Sequence, residues 1–358
     1  MEFAIDHKAV KAGAHDANQL KFPVGQVAPK GKCKKESSKL FRPAQYIMSS
    51  LNDTTFRFEV FLLTGIPGQE DVHFWISIPF CCLYVISIVG NSIILFIIKT
   101  DPSLHEPMYI LLSMLALTDL GLLIATMPTT LGVYLVNARE IGLNACFVQL
   151  YFIHLFSIIE SSTLLLMAFD RFVAICDPLR YASILTPLRI AKAGIVSVAR
   201  SVCLFFPYPF LLKRFPYCRN NVLSHSYCLF QNVMKLACAD ITDNSIYGLT
   251  VKCLSVFLDI VLIFLSYVMI LKTVLSVASL TECFKALNTC VSHLCAVLLF
   301  YVPEISLSML HRFGNSSSLL PQTFLSYVYV LVPPLVNPIV YSVKSKHFRA
   351  RILKMFFK

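Results

Sequence analysis

Charge is what this sequence lacks most. Only 14% of its 358 residues are Asp, Glu, Lys or Arg, against 56% hydrophobic. A soluble protein carries about a quarter charged residues, so an ordinary water-soluble globule is excluded. No CxxC pair offers a zinc site. Residues 1–47 show no apolar period and no h-region of a cleaved signal peptide. The net charge of +11 is not attached to a basic face of a soluble domain, which argues against a nucleic-acid partner. Neither inverted repeats nor paired broken helices are visible, so the marks of many transporters are missing. His154, His293 and the scattered Ser and Cys make no triad in one aqueous cleft, which argues against an enzyme.

What is present is apolar mass in long blocks. Mean hydropathy is +0.69, and the apolar residues cluster in runs of ~20 or more, the length of helix that crosses a bilayer. Seven blocks cover 74–98, 108–136, 146–176, 190–212, 246–275, 286–310 and 319–343. The expected fold is an all-α membrane protein, a seven-transmembrane-helix bundle with a short amphipathic C-terminal helix. An odd number of spans puts the termini on opposite sides. The tail after the last span holds Lys344, Lys346, Arg349, Arg351, Lys354 and Lys358 and no acid. Positive flanks stay cytoplasmic, and the N-terminal flank, 48–73, holds one Arg against four acids. The plasma membrane is therefore expected to be crossed with the N-terminus outside. Domains follow: 1–47 as a disordered extension of a chain that could start at Met48, 48–73 as the extracellular N-terminus, 74–343 as the seven-helix transmembrane domain, and 344–358 as a cytoplasmic tail. In that tail Phe348, Ile352, Met355 and Phe356 recur at helical spacing, an amphipathic helix lying on the inner lipid face.

The orientation sorts the loops. The long segment of about 213–245 falls outside, where disulfides are permitted. Cys146, Cys218, Cys228 and Cys238 allow three pairings. The favoured one joins Cys146 to Cys228, pinning the loop over the bundle, with Cys218 closing on Cys238; the alternative leaves one or more free. Asn52 begins a glycosylation sequon on the same side, and Asn315 a second one close to the last span.

Polar groups at depth are functional candidates, because ionisable residues inside lipid are costly; the simpler alternative is an internal hydrogen-bond network. They are Asn91, Asp119, His154, Glu160 and Asn337. Asp119 and Glu160 must share protons or hold a cation, which makes an allosteric sodium ion the one small-ion ligand expected. In Asn337-Pro338-Ile339-Val340-Tyr341, Pro338 removes a backbone bond near one end of the seventh helix. Asn337 is expected to contact the released carbonyls, and Tyr341 to swing on the hinge. At the same membrane face, Asp170-Arg171 interrupts the third block one apolar turn before Asp177-Pro178 ends it. Arg171 alone reads as an interfacial anchor, but beside Asp170 it can form an ion pair that a partner opens.

These residues sit in motifs that together resemble the odorant receptors, which are rhodopsin-like G-protein-coupled receptors. The motifs are Gly90-Asn91, LHEPMY (104–109), MAFDRFVAICDPLRY (167–181), Ser266-Tyr267, KALNTCVSHL (285–294) and PPLVNPIVY (333–341). FLLTGIPG (61–68), SHSYC (224–228), MKLACAD (234–240) and FYVP (300–303) are similar to the class I, fish-like branch, and the stretch from Phe61 looks like its family 51. The resemblance covers about Met48 to Lys358. It implies a small-molecule odorant, a stimulatory G protein of the olfactory type, and a rise in cyclic AMP. Arg171 would leave Asp170 to meet the G protein, with Tyr267 and Tyr341 moving around it. Phe172 stands where the family has Tyr, which implies a tuned switch.

The branch often takes small carboxylic acids and related polar odorants. Arg312 is the candidate cation, with Ser308, His154 and Gln231 as polar wall and Phe230 as apolar face. Glu304 disturbs this, since the branch usually has Leu there. Glu304, Ser308 and Arg312 are four apart, roughly one helix face. Glu304 is expected either to neutralise Arg312, to favour alcohols or amines, to sit protonated, or to turn toward the seventh helix with a partner of its own. Two alternatives stand beside the odorant receptor: a rhodopsin-like metabolite sensor used outside smell and, with less support, a transporter.

Overall fold

The structure is a computed structural model describing residues 58–66, 72–217, 220–276, 280–313, 319–344 and 346–356. Residues 1–47, Asn52, Cys218 and Asn315 lie outside the described residues. The seven apolar blocks are helices: α1 (His73–Thr100), α2 (Pro107–Leu135), α3 (Leu143–Cys176), α4 (Pro187–Lys213), α5 (Thr242–Ser276), α6 (Leu280–Phe313) and α7 (Leu319–Lys344). A short α8 (Lys346–Phe356) follows. Every span starts and ends within a few residues of its apolar block, α6 deviating most, because lipid tolerates no unpaired backbone and the helix must run the full apolar length.

Local chemistry sets the ends. Pro107 and Pro187 occupy first helical turns, where a missing N–H costs nothing. The Thr186 hydroxyl caps α4 by accepting from the Arg189 N–H. Asp177-Pro178 closes α3. In α5 a π turn, Cys253–Phe257, separates Lys252 from Asp259, a device often found at functional sites.

α3 is the hub: 72% of its most apolar stretch is buried, against 22% in α4. Ile86, Ile124, Ile195, Phe264 and Phe324 point outward from the other helices, the pattern of a bundle whose rim faces lipid. Between α1 and α7 the approach is close. A Cβ on Gly90 would lie 3.2 Å from Pro338 Cβ. The bend at Pro338 needs a partner too. Its missing N–H frees the Pro334 carbonyl, and the Asn91 amide donates to it at 2.8 Å. Asn337, expected in that role, instead donates to Asp119 Oδ2 at 3.1 Å. Facing α2, its side chain reaches a carboxylate, whereas Asn91 on α1 faces the freed carbonyl.

A small sheet at the Cys146 end escaped the sequence reading. β1 (Val60–Leu63) lies between β2 (Glu140–Gly142), antiparallel, and β3 (Val222–Leu223), parallel. Phe61 and Leu63 are buried beneath it, Phe61 edge-on to Tyr217. Gly65 then turns the chain with φ +72, and a Cβ there would also crowd the Tyr134 ring.

At the opposite end α8 packs Phe348 inward. Arg351 Nε pairs with Asp101 Oδ2 at 2.5 Å. The Ser103 hydroxyl, then its N–H and Arg351, hold the Asp101 carboxyl below its usual range.

Candidate functional site

Cys146 is bonded to Cys228, tying the long loop to the start of α3. The Cys228 N–H donates to Gln149 Oε1 at 2.9 Å. From there the loop turns back over the bundle. Tyr227 donates to the Ser326 carbonyl at 2.7 Å, and Tyr327 to the Ser226 hydroxyl at 2.8 Å. Asn232 contacts both His225 Nδ1 (2.7 Å) and His311 Nε2 (3.0 Å), so the loop is also fastened to α6. Burial, reinforced by His311, pushes the His225 imidazole down to about 3. Cys238 is disulfide-bonded, and its backbone N–H reaches the Pro216 carbonyl; Cys218, its expected partner, lies outside the described residues.

Under this lid is a cavity of about 390 Å³, within the usual range of small-molecule sites. His154, Tyr208, Phe230, Gln231, Gly248 and Lys252 are among its walls. Tyr208 and Phe230 stack at 4.3 Å, and His154 stacks on Phe205 at 5.7 Å. A smaller chamber continues from it past Glu304, Ser308 and Tyr329. So His154, Phe230, Gln231, Glu304 and Ser308 do converge. Arg312 lies on α6, but its side chain is outside those described.

Glu304 does not need Arg312. Its carboxylate meets Lys252 Nζ at 2.7 Å, and the same ammonium reaches Ser308 Oγ at 2.9 Å. The expected turn toward α7 is met in part, since Glu304 also hydrogen-bonds Tyr329 there; the cation supplied by α5 was not anticipated. Lys252 stands near the end of an apolar block, where a lysine ordinarily reads as snorkelling to the interface. Only the packing of α5 on α6 makes it an interior cation.

A second ion pair lies deeper. Arg200 of α4 grips Asp259 of α5 with two nitrogens, at 2.9 and 3.2 Å. Its Nη2 also reaches Ser162 at 2.7 Å. Ser161 donates to Asp259 Oδ2 at 2.8 Å and shares a 2.8 Å bond with the Tyr301 hydroxyl. Four helices thus meet through one buried carboxylate, and Tyr301 lies three residues from Glu304 on α6. Nearby, Glu160 is buried and neither of its oxygens has a hydrogen-bond partner among the described residues. Asp119 Oδ1 is likewise unpartnered. No group of three His, Cys, Asp or Glu able to hold a metal occurs among the described residues.

About 24 Å along α3 from His154, taking the helical rise, Asp170 and Arg171 form an ion pair. Arg171 Nε donates to Asp170 Oδ2 at 2.9 Å, and Nη2 contacts the same oxygen. Tyr181 donates to Asp170 Oδ1 at 2.8 Å. His293 Nε2 must donate to the Leu164 carbonyl (2.9 Å), which leaves Nδ1 to accept from Tyr267 (2.7 Å). Tyr341 rests 3.9 Å from Met167 Sδ. Tyr267 and Tyr341 are therefore held by His293 and Met167, and Arg171 by its own neighbour.

Residues 80–358 match the family model described as "Olfactory receptor". Human olfactory receptor 51G2 is 63% identical over 296 residues, 83% of this chain and 94% of that protein. Human olfactory receptor 51G1 is 55% identical over 309 residues, 86% and 96% of the two chains. Squid rhodopsin superposes with a TM-score of 0.66 at 20% identity, covering 82% of this chain and 87% of its own, a likeness of fold. With seven membrane-length helices and such relatives, the chain is a receptor and not an enzyme. It belongs to the olfactory receptor family of G-protein-coupled receptors.

Proposed function

We propose that this receptor sits in the plasma membrane with the Cys146–Cys228 loop outside, binds a small polar odorant beneath that loop, and activates a stimulatory G protein to raise cyclic AMP. The observation that carries this reading is one helix, α3, with a lidded cavity at His154 and a closed Asp170–Arg171 pair at its far end. An odorant needs apolar walls and a few fixed polar groups, and Tyr208, Phe230, Gln231 and Ser308 supply them. Among the described residues the Arg171 guanidinium hydrogen-bonds to Asp170 alone, and its side chain is 14% exposed. A G-protein segment that accepts from the guanidinium would compete with that single carboxylate. The basic tail and α8 then face cytoplasmic lipid, and residues 48–73 lie outside. Asn52, with them, would carry a glycan.

Asp119 and Glu160 would hold a sodium ion, since three of their four buried oxygens have no hydrogen-bond partner among the described residues. Replacing sodium by a bulky organic cation should then alter basal signalling in wild type and leave Glu160→Gln unmoved. The direct test of function is an odorant screen in cells reading cyclic AMP, with surface staining. Responses without cyclic AMP, or substrate flux in their place, would reject the proposal.

A further inference from the structure

Among the described residues, the cavity's interior cation is already taken. Lys252 spends two ammonium donors inside the protein, on Glu304 and on Ser308. Both partners belong to the chamber below the cavity, and Glu304 is 6% exposed. We propose that the Lys252–Glu304 pair makes this cavity a site for neutral, hydrogen-bonding odorants such as alcohols and ketones, and selects against carboxylates. This rests on the reading of the cavity as the odorant site.

Consider a carboxylate brought to Lys252. It would lie within a few ångströms of the Glu304 carboxylate. Two like charges about 5 Å apart, at the effective dielectric of a protein site, disfavour each other by on the order of 100-fold. The other route is to displace Glu304 from the ammonium. That leaves a buried carboxylate without its cation, which is strongly unfavourable. Among the described residues the other lysine in the cavity wall is Lys235, exposed at the loop, where solvent screens it. A neutral hydroxyl or carbonyl meets neither penalty. His154 Nε2 is buried and has no hydrogen-bond partner among the described residues, so it can receive that group. Tyr208 and Phe230 take the hydrocarbon.

The test uses the full receptor in cells reading cyclic AMP, with a matched panel of straight-chain alcohols, ketones and carboxylates. The expected wild-type order is neutral members first, carboxylates weak or silent. Glu304→Gln keeps the shape and hydrogen-bonding capacity but frees Lys252. It should lower the half-maximal carboxylate concentration by on the order of 100-fold relative to the matched alcohol. The double variant Lys252→Met/Glu304→Leu removes both charges and guards against a folding defect in the single one. It should reach the surface as wild type does and gain no response to carboxylates, whereas a carboxylate response equal to that of Glu304→Gln would overturn the inference. A wild type more sensitive to carboxylates than to matched alcohols overturns the inference. So does a Glu304→Gln receptor, at normal surface level, with an unchanged carboxylate-to-alcohol ratio. Gly248→Leu separates the two readings, because a side chain there meets the Phe230 ring at 3.0 Å and fills the cavity. Alcohol responses that survive it unchanged would reject the cavity itself, whatever the charge variants do.

Discussion

Remove the Asp259 carboxylate with Asp259→Leu. Three groups each lose one acceptor: both terminal nitrogens of Arg200 and the Ser161 hydroxyl. Asp259 is fully buried, but the Arg200 side chain is 31% exposed. Breaking a buried pair by deleting one partner costs ~3–5 kcal/mol. Arg200 can recover part of its hydration and keeps Ser162, so about 2–3 kcal/mol is the fitting range here. Purified receptor in detergent should then unfold roughly 5 °C lower. The double variant Arg200→Met/Asp259→Leu removes the stranded cation and should recover most of the loss, because an apolar pair of similar volume often replaces a buried ion pair at little cost. Asp259→Asn should fall between, keeping an acceptor for Ser161 but not the charge. A thermal-shift assay on these proteins, with Arg200→Met alone added, closes the cycle. If Asp259→Leu melts like wild type, or the double variant melts no higher than the single, the pair does not hold α4 and α5 together as described.

Other outcomes follow from single contacts. Gly90→Leu should cost ~1–3 kcal/mol and lower surface display, since a Cβ at 3.2 Å from Pro338 forces α1 from α7; unchanged display and melting would contradict that packing. His225 binds its proton at about 3 when folded, against an ordinary value of 6.5, because it is buried and its neighbours His311 and Lys235 oppose added positive charge. The unfolded chain therefore binds more protons between those values, and stability falls as pH drops below about 6.5. At pH 5 the loss from this residue is about 2 kcal/mol. Melting measured across pH should show that slope in wild type and a shallower one in His225→Phe; identical slopes would dismiss His225 as its source.

The bundle was legible because a membrane span is fixed by one property, continuous apolar length. The α1 and α7 boundaries could be read from Phe74 and Leu319 with no knowledge of neighbours. Likewise Asp170-Arg171 and Asn337-Pro338 were visible as polar groups in apolar surroundings. What escaped was partner choice. Asn337 faces Asp119, while Asn91 took the carbonyl freed by Pro338. Glu304 took Lys252 across two helices, fifty-two residues away. Such pairs depend on the rotation of each helix, which apolar runs do not encode when lipid surrounds the rim. The β1 strand was missed for a related reason: four residues at the chain's edge become a strand only when β2 and β3 supply the hydrogen bonds.

An odorant bound under the Cys146–Cys228 loop is, in the proposed function, read out by Arg171. Nucleotide exchange on a purified stimulatory G protein, with purified receptor and an activating odorant, tests it most directly. Wild type should accelerate exchange when odorant is added. Arg171→Ala should bind the odorant with unchanged affinity and accelerate nothing. Odorant-driven exchange that persists at the wild-type rate in Arg171→Ala would contradict the account.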